Sequence, residues 1–577
     1  MGVSGLGPLR SRVQGNKQSH QDPTGWVQGE RRLLLGHSSR MWTASGQKVP
    51  VWLKLPALLL VLLVPVASSA NILVVPMDGS HWVNMRVLMK TLHAHGHSLS
   101  VLHSSNSFNI TKEPALYRSW VVQLDHKMGI LEDPEKVTNL VVEMLEMLHQ
   151  GNKLLARLRI SLRLQDLMRD VHAATSHFIV QLFEDAQLMR RLEEADFKLV
   201  LTDPLLPVGQ MLARRLGVPL VYNVRWVNNG DGHHLIAPSP ISYVPVVGSW
   251  LTDRMSFGQR LANGLFYAVT TMLSALASER AYNELCRRYV EPGVGLQELT
   301  LAADLWLFRV DFVLDFPRPT VPNVVYVGGF QCLDASPMEP ELEAFMQGSG
   351  EHGVVFVSLG LMMTRLPAYL EDAIFQGLAG LPHRVIWRRS DRLRSSVGNN
   401  TRVIRWVSQN DVLGHAKTVA FVSHGGTNGL YEAIYHGVPV IGLPLLFDQF
   451  DNLLRLEVKG AAKVLDAADL SAGQMESAVR EVTAEPRYRR AMRRLSSLHR
   501  DQPSSPLRRA VFWIEYVLRH GGAPHLRPAA FDMPWYVYHS LDVAVFLVAL
   551  SLTALLLPCL LIRRLFRSRR ADKRKTD

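Results

Sequence analysis

Cysteine is scarce in the chain, which has three cysteines among 577 residues. Cys286, Cys332 and Cys559 share no ligand-like spacing, which excludes a disulfide-dense scaffold and a cysteine-rich zinc module. No residue class dominates, because 47% of the residues are apolar and 20% are charged, the ordinary mix of a globular protein. These proportions argue against general disorder, and the length suffices for roughly two to four domains.

The net charge of the chain is +12, but little of this excess basic charge lies in the body of the chain. Residues 1–40 contain six basic and two acidic residues, and residues 563–577 contain eight basic and two acidic residues. Only +2 of the net charge is left for residues 41–562. A nearly neutral body with basic ends disfavours a nucleic-acid surface and indicates a membrane topology.

An apolar run at residues 51–66 ends shortly before the small residue Ala70. This pattern predicts a signal peptide over residues 41–70 that is cleaved after Ala70. A short signal anchor is the alternative, which two prolines in the run disfavour because they shorten the usable helix. Residues 1–40 are polar and lack periodicity, and we interpret them as an N-terminal extension.

A second apolar run, Val543–Ile562, has 20 residues and no charge. At about 1.5 Å per residue, a helix of this length crosses a hydrocarbon core of about 30 Å. The basic tail 563–577 follows directly, so the positive-inside rule places the tail in the cytosol and the preceding body in the lumen. A buried core helix is the alternative, which the adjoining basic residues disfavour.

The last residues also carry a location signal. Lys573 and Lys575 resemble a dilysine retrieval signal, which predicts residence in the endoplasmic reticulum membrane. A plain stop-transfer charge cluster is the alternative. Two glycosylation sequons, at Asn109 and Asn399, are compatible with a lumenal body.

Short β-type runs alternate with helical stretches in two parts of the body. The strands predicted in the first part are 72–76, 99–102, 197–202 and 218–222, and the helices are 82–95, 132–168 and 260–287. The strands predicted in the second part are 354–358, 385–387, 403–406, 418–423 and 438–442. Clustered prolines and glycines predict a linker between the two parts, at residues 316–350.

This alternation predicts an α/β fold with two doubly wound domains that face a shared cleft. The N-terminal domain is expected over residues 71–315 and the C-terminal domain over residues 351–504. A C-terminal segment, 505–540, contains an amphipathic helix at 505–521 and leads into the membrane run.

The strongest chemical signal is the turn His424–Gly426, between a predicted strand and a predicted helix that begins at Thr427. Glycines let the backbone approach a pyrophosphate, and the start of a helix presents free N–H groups to it. Within this helix, Glu432 is placed to accept hydrogen bonds from ribose hydroxyls.

Other residues extend this site on both sides. Trp406 offers a flat face for a base, and Asp448 and Gln449 follow the next strand and suit sugar hydroxyls. Each of these residues alone is weak evidence for a nucleotide-sugar site, because most glycine turns bind no ligand and most tryptophans lie in a hydrophobic core. The ordered set across residues 406–452 nevertheless predicts a nucleotide-sugar site.

This ordered set closely resembles the signature of the UDP-glycosyltransferases. Two further segments, DGSHW at residues 78–82 and PLRRAVFWIEYVLRHGGAPHLRPAA at residues 506–530, are similar to the vertebrate UDP-glucuronosyltransferases. The resemblance covers roughly residues 71–577 and implies a GT-B fold, with two Rossmann-like domains and a C-terminal transmembrane helix. It implies an enzyme that transfers glucuronic acid from UDP-glucuronate to hydroxyl or carboxyl groups of small lipophilic acceptors.

The resemblance also assigns residues to the donor. It implies that Trp406 stacks on the uracil and that Gln409 hydrogen-bonds the edge of this base. The other donor residues that it implies are His424, Gly426 and Asn428 at the diphosphate, Glu432 at the ribose, Asp448 and Gln449 at the sugar, and Ser358 and Arg260 near the donor.

The catalytic base implied by the resemblance is His81, in the loop after the first predicted strand, with Asp203 as its orienting carboxylate. From the residues alone, His81 would be interpreted as a helix-capping or satisfied histidine and Asp203 as part of a strand-end turn. The reaction implied is a single inverting displacement. It needs no metal and no permanently bound cofactor.

One residue departs from the family pattern, since Leu361 stands where a small hydroxyl residue is usual. This departure leaves UDP-glucose or UDP-N-acetylglucosamine as alternative donors, and a weakly active, hetero-oligomerising partner as an alternative function. A nucleotide-sugar epimerase of the same fold is disfavoured by the membrane segment. The acceptor cannot be identified from the sequence, and homo- or hetero-oligomers with family members are expected.

Overall fold

The computed structural model describes residues 69–128, 132–225, 227, 231–274, 276, 280–360, 362–389 and 398–576. The predicted N-terminal extension, most of the predicted signal peptide and Leu361 lie outside the described residues.

The first half of the described chain is built on one parallel sheet. Its strands are β1 (Asn71–Val75), β2 (Ser98–Ser104), β3 (Arg118–Val122), β4 (Leu199–Thr202), β5 (Leu220–Val224), β6 (Leu305–Phe308) and β7 (Val324–Tyr326). The strand order is β3-β2-β1-β4-β5-β6-β7, and every recorded pairing is parallel. Its helices are α1 (Ser80–Ala94), α2 (Pro134–Gln150), α3 (Lys153–Glu184), α4 (Ala186–Glu193), α5 (Val208–Leu216), α6 (Gly232–Ile236), α7 (Phe257–Ser274), α8 (Arg280–Tyr289) and α9 (Leu296–Leu301).

The second half contains another parallel sheet. Its strands are β8 (Val354–Ser358), β9 (Arg384–Arg388), β10 (Thr401–Ile404), β11 (Thr418–Ser423), β12 (Val440–Gly442) and β13 (Ala462–Val464). The strand order is β10-β9-β8-β11-β12-β13. The helices are α10 (Pro340–Gln347), α11 (Ala368–Ala379), α12 (Gln409–Gly414), α13 (Thr427–His436), α14 (Gln449–Val458), α15 (Ala472–Ala484) and α16 (Pro486–Arg500).

The central strands of both sheets are apolar throughout and do not alternate between apolar and polar residues. This pattern indicates that both faces of each sheet are covered by other parts of the chain. In β1, Ile72 and Val74 pack with the residues of α1, whereas Leu73 and Val75 join a separate core cluster. All four side chains are at most 2% exposed. The two predicted α/β halves are therefore two doubly wound layers.

Each sheet has a point where the chain order reverses, between β1 and β4 in the first sheet and between β8 and β11 in the second. In doubly wound folds, ligands bind in the crevice beyond the carboxyl ends of the strands at such a point. Val75 pairs with Thr202 at the first reversal, and Ser358 pairs with Ser423 at the second. The residues that follow these strand ends are therefore the ones placed for binding and chemistry.

A buried polar cluster joins the two halves. Asp311 follows β6 of the first sheet, and the hydroxyl of Tyr431 on α13 donates to its Oδ1 over 3.0 Å. The ring of His499 on α16 approaches the other carboxylate oxygen, with Nδ1 2.9 Å from Oδ2. One carboxylate of the first half thus binds two helices of the second.

The chain then returns to the first half through α17 (Pro506–His520). Its apolar face, formed by Ala510, Val511, Ile514 and Val517, is at most 2% exposed and packs in the cluster that contains Trp82 of α1. The predicted amphipathic helix at 505–521 therefore packs on the N-terminal sheet layer. Within the described residues, the buried core cluster that contains this face is otherwise made, apart from Ala523, of residues of the first half.

Two short 3₁₀ turns, Pro524–Leu526 and Ala529–Asp532, and the short helix α18 (Trp535–Tyr538) lead to α19 (Leu541–Thr576). Within α19, residues Leu541–Arg567 form a candidate membrane span that contains an 18-residue window with a mean hydropathy of 2.7 and no buried side chains. At about 1.5 Å per residue, this span is longer than a hydrocarbon core of about 30 Å.

The structure refines several predicted elements. The helix expected at 132–168 is two helices, α2 and α3, because α2 ends at Gly151, whose backbone is extended. The helix expected at 260–287 overlaps α7 and α8, and residues 275 and 277–279 between them lie outside the described residues. The predicted linker contains β7 and α10, so only part of it is irregular. The strand expected to end at Trp406 ends at Ile404.

Candidate active site

The imidazole of His81 and the carboxylate of Asp203 form a hydrogen-bonded pair at the first reversal. His81 is the second residue of α1, directly beyond β1, and Asp203 follows the last residue of β4. Their Nδ1 and Oδ2 atoms are 2.6 Å apart, and the side chains are 13% and 1% exposed, respectively. A buried carboxylate therefore orients the ring and leaves Nε2 outside this hydrogen bond.

A third residue, Arg309, joins this pair and was not predicted from the sequence. It follows β6 and is 5% exposed. Its Nη2 lies 3.0 Å from His81 Nδ1 and 3.4 Å from Asp203 Oδ2. The available sequence signal was a cation directly after an apolar run, but β6 itself was not predicted.

Burial and these neighbours shift the pKa values of the pair. Burial lowers the pKa of His81, and Arg309 adds to this effect, whereas Asp203 opposes it. Burial alone would raise the pKa of Asp203, but His81 and Arg309 outweigh it, and the net pKa lies below the ordinary value. The pair at neutral pH is thus a neutral imidazole beside a carboxylate, which is the state of a general base.

At the second reversal, the turn His424–Gly426 connects β11 to the start of α13. The ring of His424 packs so closely on two glycines that a Cβ at Gly360 would lie 2.9 Å from its Nε2, and one at Gly426 would lie 2.6 Å from it. Gly360 also has a φ of 95°, which L side chains rarely adopt. At Gly360 and Gly426, the backbone therefore lies against the His424 ring with no side chain between them.

Two polar atoms at this turn are buried without a geometric hydrogen bond among the described residues, although the backbone of Ser358 contributes to the pKa of the His424 ring. They are Nδ1 of His424 and Oγ of Ser358, the last residue of β8. Burial lowers the pKa of His424 to about 4, so the ring is neutral at physiological pH. His424 can therefore donate one N–H to a phosphate oxygen but does not supply a positive charge.

The predicted base and ribose residues lie together beside α13. Gln409, at the start of α12, donates through Nε2 to Glu432 Oε2 over 2.6 Å. Burial raises the pKa of Glu432 to about 7. Trp406 is 72% exposed, with the guanidinium of Arg388 5.9 Å from its ring centre. An exposed indole on a domain surface is suited to stacking rather than to core packing.

Asn428 connects the two halves at the cleft. It is the second residue of α13, and its Oδ1 accepts from Nδ2 of Asn84 on α1 over 3.1 Å. Its own Nδ2 donates to the carbonyl of Ser80 over 3.4 Å. The start of the donor-side helix thus contacts the start of the helix that carries His81.

The two predicted sugar residues differ in their surroundings. Asp448 Oδ2 accepts from Arg225, which follows β5 in the first half and also donates to Asn452 Oδ1 over 3.1 Å. Gln449, in contrast, uses its Oε1 to accept backbone N–H groups of Leu445 and Leu446, over 2.9 and 3.0 Å. The Gln449 side chain therefore holds the preceding loop.

The cleft beside Asp448 contains a pocket with about 460 Å³ of empty space, part of which is open to solvent. Its charged and polar lining residues are Arg225, Asp231, His233, Asp315, Arg318, Asp448 and Arg455. Both halves contribute to this lining, as expected for a ligand that is enclosed between two domains.

Arg260 does not lie beside the other predicted donor residues. It lies in the first turn of α7, where its Nη1 donates to the carbonyl of Met255 over 3.0 Å and its guanidinium lies 5.8 Å from the ring centre of Phe257. Arg260 is exposed, and Phe257 is 75% exposed. Within the described residues, the contacts of Arg260 stay in its own segment, so the structure does not support its predicted place at the donor.

Among the described residues, no group of three or more His, Cys, Asp or Glu side chains is arranged to hold a metal ion.

Comparison with known proteins decides the family. The family model "UDP-glucoronosyl and UDP-glucosyl transferase" matches residues 70–576. The chain belongs to this family. The predicted family and enzyme class, a UDP-glycosyltransferase, are thereby confirmed.

Several curated proteins resemble this family member over most of their length. UDP-glucuronosyltransferase 1A1 of Mus musculus is 41% identical over 504 residues, which cover 87% of this chain and 92% of the relative. UDP-glucuronosyltransferase 1A5 of Rattus norvegicus is 38% identical over 86% of this chain and 92% of the relative. UDP-glucuronosyltransferase 1A3 of Homo sapiens is 38% identical over 88% and 94%.

Solved glycosyltransferases share the fold of this UDP-glycosyltransferase. The calicheamicin glycosyltransferase CalG4 is similar with a TM-score of 0.51 and 19% identity, over 78% of this chain and 99% of that chain. Os79 from O. sativa, solved in complex with UDP, has a TM-score of 0.51 and 17% identity, over 78% and 100%. The predicted GT-B fold is confirmed.

Proposed function

We propose that this chain transfers glucuronic acid from UDP-glucuronate to a hydroxyl or carboxyl group of a small lipophilic acceptor. The observation that carries the proposal is the contact between Asn84 and Asn428, which joins the helix of the predicted base to the helix of the predicted diphosphate loop. A base and a leaving-group site so close together suit a direct transfer between two bound substrates.

In the proposed reaction, His81 Nε2 takes the proton of the acceptor as its oxygen attacks the anomeric carbon. The new carbon–oxygen bond forms as the bond from this carbon to the β-phosphate oxygen breaks, which inverts the configuration. UDP leaves with the electron pair, and Asp203 stabilises the imidazolium. The N–H groups at the start of α13 and the His424 ring stabilise the new charge on the phosphate.

In the proposed donor complex, the uracil stacks on the exposed face of Trp406, and Gln409 hydrogen-bonds the edge of the uracil. Glu432 accepts from the ribose, while Ser358, His424, Gly426 and Asn428 meet the diphosphate. Asp448 binds the sugar. The choice of glucuronate rests on the relatives named as UDP-glucuronosyltransferases, which are 37–41% identical to this chain.

An apolar wall beside the base supports a lipophilic acceptor. A Cβ placed on Gly79, two residues before His81, would lie 3.7 Å from Phe108 and 3.5 Å from the sulfur of Met362. One of these side chains comes from each half of the molecule. Such neighbours favour the entry of an apolar molecule next to His81.

We further propose that the body lies in the lumen of the endoplasmic reticulum. The single candidate span of the described residues, followed by the basic tail with Lys573 and Lys575, supports this topology. Asn399 is exposed and open to glycosylation, whereas Asn109 uses its side-chain amide to donate to the Gly79 carbonyl. Association with another copy or another family member stays a prediction, which the mass of the detergent-solubilised protein tests.

A donor panel tests the proposed function. Membranes that contain the chain are incubated with UDP-glucuronate, UDP-glucose or UDP-N-acetylglucosamine and with a set of phenols and steroids. We expect conjugates from UDP-glucuronate at a rate at least about tenfold above the other donors, since a carboxylate-specific contact is typically worth more than 1 kcal/mol. Equal or faster transfer from another donor would reassign the sugar, and no transfer from any donor would contradict the enzyme proposal.

A further inference from the structure

The strongest unexplained feature of the site is the guanidinium of Arg309 beside the catalytic pair. The side chain starts after β6 and reaches past the end of β5 to residues that follow β1 and β4. Its Nη2 meets both His81 and Asp203, and its Nε has no recorded partner within the described structure. A buried cation with so few partners is costly, so its position calls for a function.

A histidine–carboxylate pair has an inherent conflict as a base. The carboxylate orients the ring and stabilises the imidazolium that forms in the transition state. The same carboxylate favours protonation of the ring before the acceptor arrives, and a protonated ring cannot accept a proton. A fixed cation beside both groups opposes this premature protonation and still keeps the carboxylate ionised.

Arginine is suited to this position because it stays charged at all relevant pH values and only donates hydrogen bonds. If Nδ1–H of His81 donates to Asp203 Oδ2, Nε2 carries the lone pair that faces the acceptor. Arg309 Nη2 lies 3.4 Å from the same carboxylate oxygen and 3.0 Å from Nδ1, so its charge faces both groups of the pair. The other charged group that acts on His81 is Arg225, whose effect is weaker than that of Asp203 or Arg309.

We propose that Arg309 is a positioning residue of the catalytic pair, which holds Asp203 as a carboxylate and keeps His81 unprotonated until the acceptor binds. The proposal rests on the proposed function, because it assigns Arg309 a part in the use of His81 as a base. Arg309 touches neither substrate in this account. Its effect passes through His81.

The dependence of kcat/KM on pH tests the proposal, because its acidic limb reports the ionisation of the base in the free enzyme. In Arg309→Gln, loss of the cation should move the acidic limb to higher pH by about one unit. Arg309→Lys keeps a charge and should leave the limb within about 0.3 unit. Arg214→Gln, which removes a surface cation paired with Glu291, is the control and should leave the profile unchanged.

A second variant keeps the test decisive if Arg309→Gln fails to fold. In Arg309→Met, which removes the charge but keeps a long side chain, the acidic limb should move to higher pH in the same direction as in Arg309→Gln. UDP binding, which depends on the second half, reports whether each variant retains its donor site. A double variant, His81→Ala with Arg309→Gln, should be no slower than His81→Ala alone, because both changes act on one group.

The outcomes separate this inference from the proposed function. Transfer by the wild type, with an acidic limb that does not move in Arg309→Gln or in Arg309→Met, would overturn the role of Arg309 and leave the function standing. Transfer only from another UDP-sugar would change the donor, and the same comparison would then be made with that donor. Absence of any transfer by the wild type would overturn both proposals.

Discussion

At the residue scale, Glu432 shows how burial prepares a group for a ligand. Its carboxyl lies beside Gln409 on the inner side of α13, and burial raises its pKa to about 7. Glu432 is therefore partly protonated near neutral pH in the unliganded protein. Ribose hydroxyls donate to a carboxylate better than to a carboxylic acid, so at the proposed ribose site we expect donor binding to favour loss of this proton.

This linkage predicts that UDP binds more tightly as the pH rises through about 7. The proton must leave on binding, so the Kd at pH 6 should be about tenfold higher than at pH 8. In Glu432→Gln, the affinity for UDP should be lower at every pH. The remaining pH dependence should be the weaker one that comes from the ionisation of UDP itself. Calorimetric titration of both proteins with UDP measures this. An equal pH dependence in both would contradict the placement of Glu432 at the ribose.

Some of the site residues could be predicted from the sequence, and others could not. The turn at His424 and the helix after it are local in sequence, so their geometry follows from a few adjacent residues. Arg309 lies 228 residues from His81, and nothing local marks it as a neighbour. Gln449 was predicted at the sugar, but its side chain turns back to two backbone N–H groups that a sequence does not reveal.

At the element scale, α17 is the connection that holds the end of the body against its beginning. Ile514 is 0% exposed in the cluster shared with α1, whereas Phe512, two residues earlier, is 51% exposed. The two positions therefore form a matched pair on opposite faces of one helix.

We expect Ile514→Ala to lower the free energy of unfolding by about 2–5 kcal/mol, because it leaves a cavity between α17 and the first sheet layer. Phe512→Ala should change it by less than about 0.5 kcal/mol, since the ring is mostly in solvent. Denaturant unfolding of the detergent-solubilised proteins measures both. Equal losses at the two positions would contradict the packing of α17.

The predicted bounds of strands and helices agree with the structure where a buried apolar run ends at strong local sequence signals. β8, β11 and α13 have the predicted bounds, because glycines and a histidine end the apolar runs. β7 and β13 were not predicted, since three residues carry too little periodicity. The amphipathic face of α17 was visible in the sequence, but its partner lies more than 400 residues earlier and was not.

At the scale of the whole molecule, one apolar helix separates a nearly neutral body from a basic tail. The candidate span Leu541–Arg567 is the only one found within the described residues. Membrane attachment of the body is therefore expected to depend on α19.

A chain that ends before Leu541 should be released from membranes by alkaline extraction, whereas the full chain should stay with the lipid. The truncated body should still bind UDP, because the described contacts of the donor residues lie within residues 80–452. Sedimentation after extraction, together with UDP titration of the soluble fraction, measures both properties. Retention of the truncated chain in the membrane pellet would contradict α19 as its anchor.

We propose that the chain is a glucuronosyltransferase whose base is His81. The most direct measurement compares glucuronide formation from UDP-glucuronate by the wild type, His81→Ala and His93→Ala, with UDP affinity measured for each. His93 is an exposed histidine on the same helix and serves as the matched control. We predict that His81→Ala loses at least about 100-fold in kcat with unchanged UDP affinity, while His93→Ala retains activity. Glucuronide formation by His81→Ala at the wild-type rate would contradict the account.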